Sequence, residues 1–151
     1  MSQEHEMVQR VLRSLREVNR ALFQLLREEA DMLDVTPIQM MVLKILAQRP
    51  NIGLTELAES LQVGNSTMSG VVDRLVYAGL VVRERSTEDR RSLTMRLTPE
   101  GEAKQEAAFG EDSYIMKRLL KILEISKEDL EHLFDIHQRI LEKIQEREME
   151  K

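Results

Sequence analysis

The sequence LTELAESLQVGNSTMSGVVDRLVYA, residues 54–78, contains two helical patterns separated by a short turn. The first pattern, at residues 54–61, is little more than two turns long, and the turn Gln62-Val63-Gly64 contains a glycine. The second, from Asn65 to Ala78, has one apolar face, while its other face carries small polar side chains. This arrangement predicts a helix-turn-helix, whose second helix can enter the major groove of DNA. The signal is weak by itself, because many helical bundles contain two helices joined by a short turn.

Two segments of β character follow the second helix. Gly79 is expected to end that helix in the left-handed conformation, and residues 80–85 and 92–97 have the composition of short strands. The six residues between them contain no apolar side chain, so the pattern predicts a β-hairpin with a charged tip. A hairpin directly after a recognition helix is the winged arrangement, in which an arginine at the tip can reach a flanking minor groove. The hairpin therefore favours DNA binding.

A long helical pattern precedes this segment. From Gln3 to about Asp31 apolar residues recur at every third or fourth position, which predicts an amphipathic helix of about 28 residues and ~42 Å. Because this length exceeds the diameter of a small domain, we expect part of the apolar stripe to be buried against a second chain. The residues Thr36-Pro37-Ile38-Gln39 predict a capping box that starts a second helix, ending at about Arg49 before a turn at residues 50–53.

Two further helices are predicted after the hairpin. Thr98 and Pro99 are typical of a helix start, and the pattern predicts a helix from there to about Ile122. Ser126, with Asp129 three residues later, is expected to cap the last helix, which ends at about Glu146. The sequence thus predicts a mostly α protein with a small β-hairpin.

Composition excludes several classes of protein. The chain has 151 residues, enough for one domain with a substantial core, and it contains no cysteine, which excludes disulfides and thiolate chemistry. The start of the chain carries Glu4 and Glu6 and lacks the basic and apolar regions of a signal peptide, and no run is long enough for a membrane span. A cytoplasmic protein without membrane contact is expected.

The charge is unevenly distributed. The net charge is −5, which by itself disfavours a polyanionic partner. Between residues 64 and 96, however, there are six arginines and four acidic residues, whereas the rest of the chain has 16 basic and 23 acidic residues. Arginines without lysines suit contact with grooves and phosphates, so this segment remains a candidate for DNA binding.

Four motifs are similar to those of one protein family. They are TPIQMMVL at residues 36–43, TELA at residues 55–58, VVDRL and GLV within residues 71–81, and DRR and LTPEG within residues 89–101. With a long helix before them and two after, the chain resembles the MarR family (multiple antibiotic resistance regulators), bacterial winged helix-turn-helix proteins that act as dimers. The resemblance implies a MarR-like homodimer, with residues 36–98 as the winged helix-turn-helix domain and residues 1–35 plus 99–151 as the helical dimerisation region.

The resemblance also implies roles for individual residues. The two winged domains would bind successive major grooves of a pseudopalindromic operator in double-stranded DNA, with half-sites about 10 bp apart. The family's wing motif falls on Asp89 and Arg91, so that Asp89 would support the wing by bonding to Arg74 and Arg91 would lie at the minor groove. Gly64 stands at the recognition-helix cap, where serine is common in the family, and Gly70 either lets the backbone approach DNA or is a tolerated surface glycine. The candidate DNA-binding residues are Asn65, Ser66, Thr67, Ser69, Gly70, Arg74, Arg90 and Arg91.

The predicted function is that of a ligand-responsive repressor without enzymatic activity. Family members often release DNA when a small, frequently aromatic anion fills a cleft, and Met32, Met40 and Met41 are candidates for such an effector pocket, although a methionine at helical spacing is more often a core residue. No motif predicts catalysis, a cofactor or a metal site. Two alternatives remain: a helical dimerisation or adaptor module that binds protein, and a small-molecule binding protein without affinity for DNA.

Overall fold

The computed structural model describes residues 2–89 and 91–146. Within these ranges no helix combines the length and the apolar character needed to cross a bilayer. The chain divides into two compact units, with the boundary between Met116 and Lys117. Its elements are α1 Gln3–Met32, α2 Pro37–Gln48, β1 Ile52–Gly53, α3 Leu54–Ser60, α4 Asn65–Tyr77, β2 Val81–Arg85, β3 Leu93–Leu97, α5 Pro99–Phe109, α6 Tyr114–Leu119, a 3₁₀ helix Leu120–Glu124 and α7 Lys127–Gln145. The prediction of a mostly α fold with a small β-hairpin is confirmed.

The predicted helix starts follow from local hydrogen bonds. At α2 the Thr36 hydroxyl accepts from the backbone N–H of Gln39 at 3.2 Å, and the Gln39 side chain accepts from the backbone N–H of Thr36 at 2.9 Å. These two bonds complete the capping box that the sequence indicated. Ser126 caps α7 in the predicted way, since its hydroxyl accepts from the backbone N–H of Asp129 at 3.1 Å.

The core of the first unit holds the helix-turn-helix together. Leu57 of α3 is buried against Met68, Val72 and Leu75 of α4, and the same cluster includes side chains of α2 and of the strands. In the turn between the two helices, the residue with positive φ is Gln62 at 55°. Gly64 has an extended backbone and is the N-cap of α4, so the turn does not use the conformational freedom of its glycine.

The sheet contains one strand more than the sequence predicted. Strands β2 and β3 pair antiparallel, from Val81 opposite Leu97 to Arg85 opposite Leu93, which confirms the hairpin. The turn predicted at residues 50–53 is wrong in its second half, because Ile52 and Gly53 form β1 and pair with Met95 and Thr94 of β3. The strand order is therefore β1-β3-β2. A strand of two residues shows no alternation, so its pairing depends on a partner that is distant in sequence.

Gly79 ends α4 as predicted. Its φ is +75°, a conformation that glycine adopts without steric cost. The N–H of Leu80 donates to the carbonyl of Leu75, and the N–H of Gly79 donates to the carbonyl of Val76, each at 3.0 Å. This pair of bonds is a Schellman motif, and it turns the chain from the recognition helix into the first strand of the hairpin.

The single helix predicted from Thr98 to about Ile122 is wrong. Helix α5 ends at Phe109, with Gly110 as its C-cap in an extended conformation. The chain then restarts as α6, where the Ser113 hydroxyl accepts from the backbone N–H of Met116 at 3.1 Å. Gly110 and Ser113 are a helix stop and a helix start only three positions apart, and together they outweigh the helical pattern on either side of them.

The long helices α1 and α7 carry apolar side chains that their own units leave exposed. In α1 only Glu29 and Ala30, near its end, are buried. No side chain of α7, residues 127–145, is buried. The exposed apolar residues of these two helices are Met7, Val8, Val11, Leu12, Val18, Leu22, Phe23, Met32, Leu133, Phe134, Ile136, Leu141 and Ile144.

Glu29 is a charged residue in a buried position. The residue is 3% exposed, and its Oε2 atom has no hydrogen-bond partner among the residues that the structure describes. Burial raises the pKa of the Glu29 carboxyl above its ordinary value, because the charged form loses hydration. The folded protein therefore binds a proton at Glu29 more tightly than the unfolded chain does.

We expect Glu29→Gln to stabilise the protein at pH 7.5 by about 1 kcal/mol, because the variant has no charge to bury. With a raised folded pKa, the contribution of Glu29 to stability is present in full below the unfolded pKa of about 4.5 and is lost as the pH rises through the folded pKa. The difference in the free energy of unfolding between Glu29→Gln and wild type should therefore become smaller as the pH falls to 4.5. Urea unfolding at both pH values measures it, with Glu17→Gln as the exposed control. Destabilisation by Glu29→Gln at pH 7.5 would contradict the expectation.

Candidate nucleic-acid interface

The outer face of α4 brings most of the predicted DNA-binding residues together. Asn65, Ser66, Thr67, Gly70 and Arg74 are exposed, while Ser69 is half-buried at the edge of the face. The Asn65 amide donates to the Thr55 hydroxyl at 3.4 Å, which joins the start of α4 to α3. The remaining small side chains leave the helix surface open to a partner.

The opposite face of α4 holds the helix in place. Met68, Val72 and Leu75 are buried in the core, and Val71 and Val76 pack against it at the sides. The helix therefore has a fixed orientation, with its polar face outward. A recognition helix needs this division, because core contacts position the side chains that read base edges.

An ion pair joins the recognition helix to the wing, the hairpin formed by residues 81–97. The Arg83 guanidinium of β2 donates to the Asp73 carboxylate of α4. Sequence reasoning missed this pair and expected one between Asp89 and Arg74. Among the residues that the structure describes, Asp89 and Arg74 form no ion pair. The strand alternation contained a signal for the observed pair, since Arg83 lies two residues after the buried Val81 and so points to the helix side of the sheet.

Hydrogen bonds within the tip hold the wing in a defined turn. The backbone N–H of Ser86 donates to the Ser92 carbonyl at 2.9 Å. The Ser86 hydroxyl accepts from the backbone N–H groups of Glu88 and Asp89, at 3.2 and 3.4 Å. The Asp89 carboxylate accepts from the backbone N–H of Arg91 at 3.0 Å. Asp89 can thus support the wing through its hydrogen bond with the backbone of Arg91 at the tip.

Arg91 presents a positive charge at the tip of the wing. Arg91 is exposed, and its guanidinium has no hydrogen-bond partner among residues 2–89 and 91–146. Arg90, also predicted to bind DNA, lies outside the described residues. Arg91 is therefore a cation at the end of an ordered hairpin that is available to a phosphate or a groove.

A second ion pair stiffens the outer face of the wing. Arg96 of β3 donates to the carboxylate of Glu84 on β2 through two nitrogens, and the bond from Nε to Oε2 is 3.3 Å long. Hydrogen bonding to Arg96 lowers the pKa of Glu84, and the same bond raises the pKa of Arg96. Arg96 is thus paired within the hairpin, as Arg83 is paired with Asp73. Among the described arginines of residues 64–96, this leaves Arg74, Arg85 and Arg91 for an external anion.

The three methionines proposed for an effector pocket lie in different environments. Met40 is fully buried at 0% exposure, Met41 is half-buried, and Met32 is 60% exposed. Two surface clefts have other linings. One cleft, of about 240 Å³, is lined by residues from the segment 31–39, among them Asp31, Asp34 and Gln39. The other, of about 710 Å³, is formed by residues 106–113 at the break between α5 and α6. Neither cleft brings the three methionines together.

Comparison with known proteins agrees with this geometry. The sequence profile of the MarR family matches residues 35–93, from the start of α2 into β3. The HTH-type transcriptional repressor MdtR of Bacillus subtilis (strain 168) is 35% identical over 107 residues, which are 68% of this chain and 69% of MdtR. The chain belongs to the MarR family. As a MarR-family protein it is a DNA-binding transcription regulator.

Solved structures of the MarR family share the fold. The crystal structure of one MarR family transcription regulator superposes with a TM-score of 0.80 at 22% identity, covering 93% of this chain and 92% of that one. The wild-type MarR of E. coli, in its apo form, gives a TM-score of 0.67 at 27% identity and covers 85% of this chain and 94% of its own. These matches extend beyond the winged segment to the flanking helices. The relatives reported are transcription regulators rather than enzymes.

Proposed function

We propose that this MarR-family protein is a ligand-responsive repressor that binds a pseudopalindromic operator as a homodimer. The observation that carries the proposal is the exposed polar face of α4, which core packing orients and which the pair of Asp73 with Arg83 ties to the wing. A recognition helix and a wing held together can contact a major groove and the adjacent minor groove at the same time. Repression is also the activity named for the relative MdtR.

Within this proposal the residues divide by role. Asn65, Ser66, Thr67 and Ser69 begin the recognition helix, the part that contacts base edges and phosphates in helix-turn-helix proteins. Arg74 follows on the same outer side, and Arg91 at the wing tip is assigned to the minor groove, whose negative potential favours a guanidinium. Arg90, its neighbour in sequence, is assigned to DNA contact without a groove. Asp89 is assigned to holding the tip, through the backbone N–H of Arg91.

The homodimer is inferred from apolar surface that the single chain leaves exposed. Helix α1 has 30 residues and would be about 45 Å long, yet it buries only two of its own side chains. Helix α7 likewise presents apolar residues such as Phe134 and Ile144. Large exposed apolar surfaces mark protein interfaces, and a second copy of this chain supplies the same surface in return. We therefore assign residues 1–35 and 99–151 to dimerisation and residues 36–98 to DNA binding.

The proposed effector is a small molecule that releases the repressor from DNA. A small aromatic or anionic molecule bound near Met32, Met40 and Met41 would alter the separation of the two recognition helices, and operator contacts would be lost at both half-sites. Titrating the protein–DNA complex with a simple aromatic carboxylate such as benzoate tests this idea. Release of DNA at constant ionic strength would support it, and an unchanged complex would remove this class of effector.

The DNA-binding role is tested by fluorescence anisotropy with DNA from upstream of the protein's own gene, at about 50 and 200 mM salt. We expect wild type to bind tightly and with strong salt dependence. Arg91→Ala should weaken binding by about 1–3 kcal/mol and reduce the salt slope by about one per protomer, because a cation that neutralises a phosphate charge is lost. Arg139→Ala removes an equal charge from α7 and should leave binding unchanged.

The outcomes separate the proposal from its rivals. Equal DNA affinities of wild type and Arg91→Ala would show that Arg91 does not contact DNA. Nonspecific binding at both salt concentrations means that the operator lies elsewhere or that this protein does not bind DNA, and a pull-down of genomic fragments distinguishes the two. An adaptor that binds protein through apolar contacts would show much weaker salt dependence.

A further inference from the structure

Tyr77 is an aromatic residue that the fold does not use. It is the last residue of α4 and is 95% exposed, in a chain that has two tyrosines and no tryptophan. Within the part of the chain that the structure describes, it makes no ring contact and no hydrogen bond. Tyrosine is enriched at binding interfaces, because its ring is rigid and its hydroxyl can donate a hydrogen bond. Packing within the chain therefore does not account for Tyr77.

Helical geometry places Tyr77 on the outer line of the recognition helix. Residues 66, 70, 73 and 77 are spaced by four, three and four positions, so their side chains lie one above another. Ser66, Gly70 and Asp73 on this line are exposed, and Met68, Val72 and Leu75 occupy the opposite, buried side. Tyr77 thus continues the surface that faces outward with the recognition residues.

The length of α4 separates Tyr77 from the base-reading end. Tyr77 comes eleven positions after Ser66, which corresponds to about 16 Å along the helix axis. The major groove is about 12 Å wide, and recognition helices place their N-terminal residues at the bases. A helix with Ser66 at the base edges therefore brings its last turn to the phosphate backbone that borders the groove. Tyrosine hydroxyls are among the donors that contact phosphates in protein–DNA complexes.

We propose that the Tyr77 hydroxyl donates a hydrogen bond to a backbone phosphate at the border of the major groove. This inference rests on the proposed DNA-binding function and adds a residue to the same interface. The contact fixes the position of the C-terminal end of α4, while Asn65, Ser66 and Thr67 act at the other end. Because tyrosine is uncharged, it positions the helix without neutralising a phosphate.

The substitution Tyr77→Phe removes the hydroxyl and keeps the ring. We expect the affinity for operator DNA to fall about tenfold, since the hydrogen bond has a charged acceptor. The salt slope should stay that of wild type, in contrast to Arg91→Ala, because no counterion is released by a neutral donor. The loss should be similar on operator and on unrelated DNA, since a phosphate carries no sequence information.

Tyr114→Phe is the matched control, because it removes the only other tyrosine hydroxyl, which lies 3.4 Å from the Glu28 carboxylate. It should leave DNA affinity unchanged. Thermal unfolding of Tyr77→Phe should match that of wild type, since the side chain is exposed.

Three results would overturn the assignment, and they differ from failure of the proposed function. Unchanged affinity of Tyr77→Phe, with wild type binding DNA, would remove Tyr77 from the interface and leave the DNA-binding function intact. A loss confined to operator DNA would indicate contact with a base. A reduced salt slope would indicate that the substitution displaces a neighbouring arginine. Failure of wild type to bind any DNA fragment would instead overturn the function and the assignment together.

Discussion

Gly101→Ala is expected to destabilise the protein by about 3 kcal/mol, and to lower its Tm by roughly 6–12 °C. A Cβ atom at residue 101 would lie 2.0 Å from the backbone carbonyl oxygen of Leu80 and 3.0 Å from its carbonyl carbon. Neither is the mobile end of a side chain, so the start of α5 or the start of β2 has to move. That carbonyl also accepts a hydrogen bond from the backbone N–H of Thr98 at 3.1 Å, which would be strained by the shift. Thermal and urea unfolding measure the loss.

Gly70→Ala is the control for this prediction. A Cβ atom at Gly70 meets nothing within 4 Å, and the residue lies inside a helix, where alanine is favoured over glycine by about 1 kcal/mol. We expect this variant to be slightly more stable than wild type. Any loss of operator affinity in it then arises at the DNA, which distinguishes close backbone approach from a tolerated surface glycine. Equal stability of Gly101→Ala and wild type would contradict the close contact with Leu80.

The double substitution Val18→Glu and Leu22→Glu is expected to convert the proposed dimer to a monomer. Both side chains are exposed apolar residues one turn apart on α1, and two carboxylates facing a second copy would each lose hydration. With the dimer lost, the second half-site no longer binds at high effective concentration, and operator affinity should fall by about 100-fold or more. Analytical ultracentrifugation and anisotropy measure the two effects.

The control for the dimer prediction changes net charge by the same amount on the other side of the helix. Arg13→Gln with Arg20→Gln removes two positive charges from the polar face of α1 and should leave the oligomeric state unchanged. Circular dichroism should show equal helical content in both double variants, because all four positions are exposed. A wild-type protein that is monomeric at micromolar concentration would refute the proposed dimer.

Local sequence signals predicted most of the elements correctly. Thr36, Gly79 and Ser126 mark helix ends by hydrogen bonds or conformations that depend only on nearby residues, and each lies where it was expected. The errors have physical reasons. Strand β1 is two residues long and exists through pairing with β3, more than 40 residues later. The break at Gly110 and Ser113 was missed because apolar periodicity on both sides favoured one continuous helix, although both residues are typical of helix ends.

The candidate site was predictable in outline and less so in its contacts. The polar face of α4 follows from helical periodicity, so the exposure of Ser66, Thr67 and Gly70 could be anticipated. The ion-pair partner of an arginine could not be anticipated from the sequence, since it depends on how the hairpin packs on the helix. The observed pair joins Arg83 to Asp73, whereas the expected one joined Asp89 to Arg74. Tyr77 was not singled out, because a residue pattern does not reveal that a ring has no neighbour.

The division of α4 into a buried and an open face also bears on how this regulator can change over evolutionary time. Ser66, Thr67 and Gly70 have no part in the core, whereas Met68, Val72 and Leu75 are fixed by it. Substitutions on the open face therefore alter what the helix recognises at little cost to folding. After a gene duplication, a copy of this chain can acquire a new target through a few such changes and remain folded at every intermediate step.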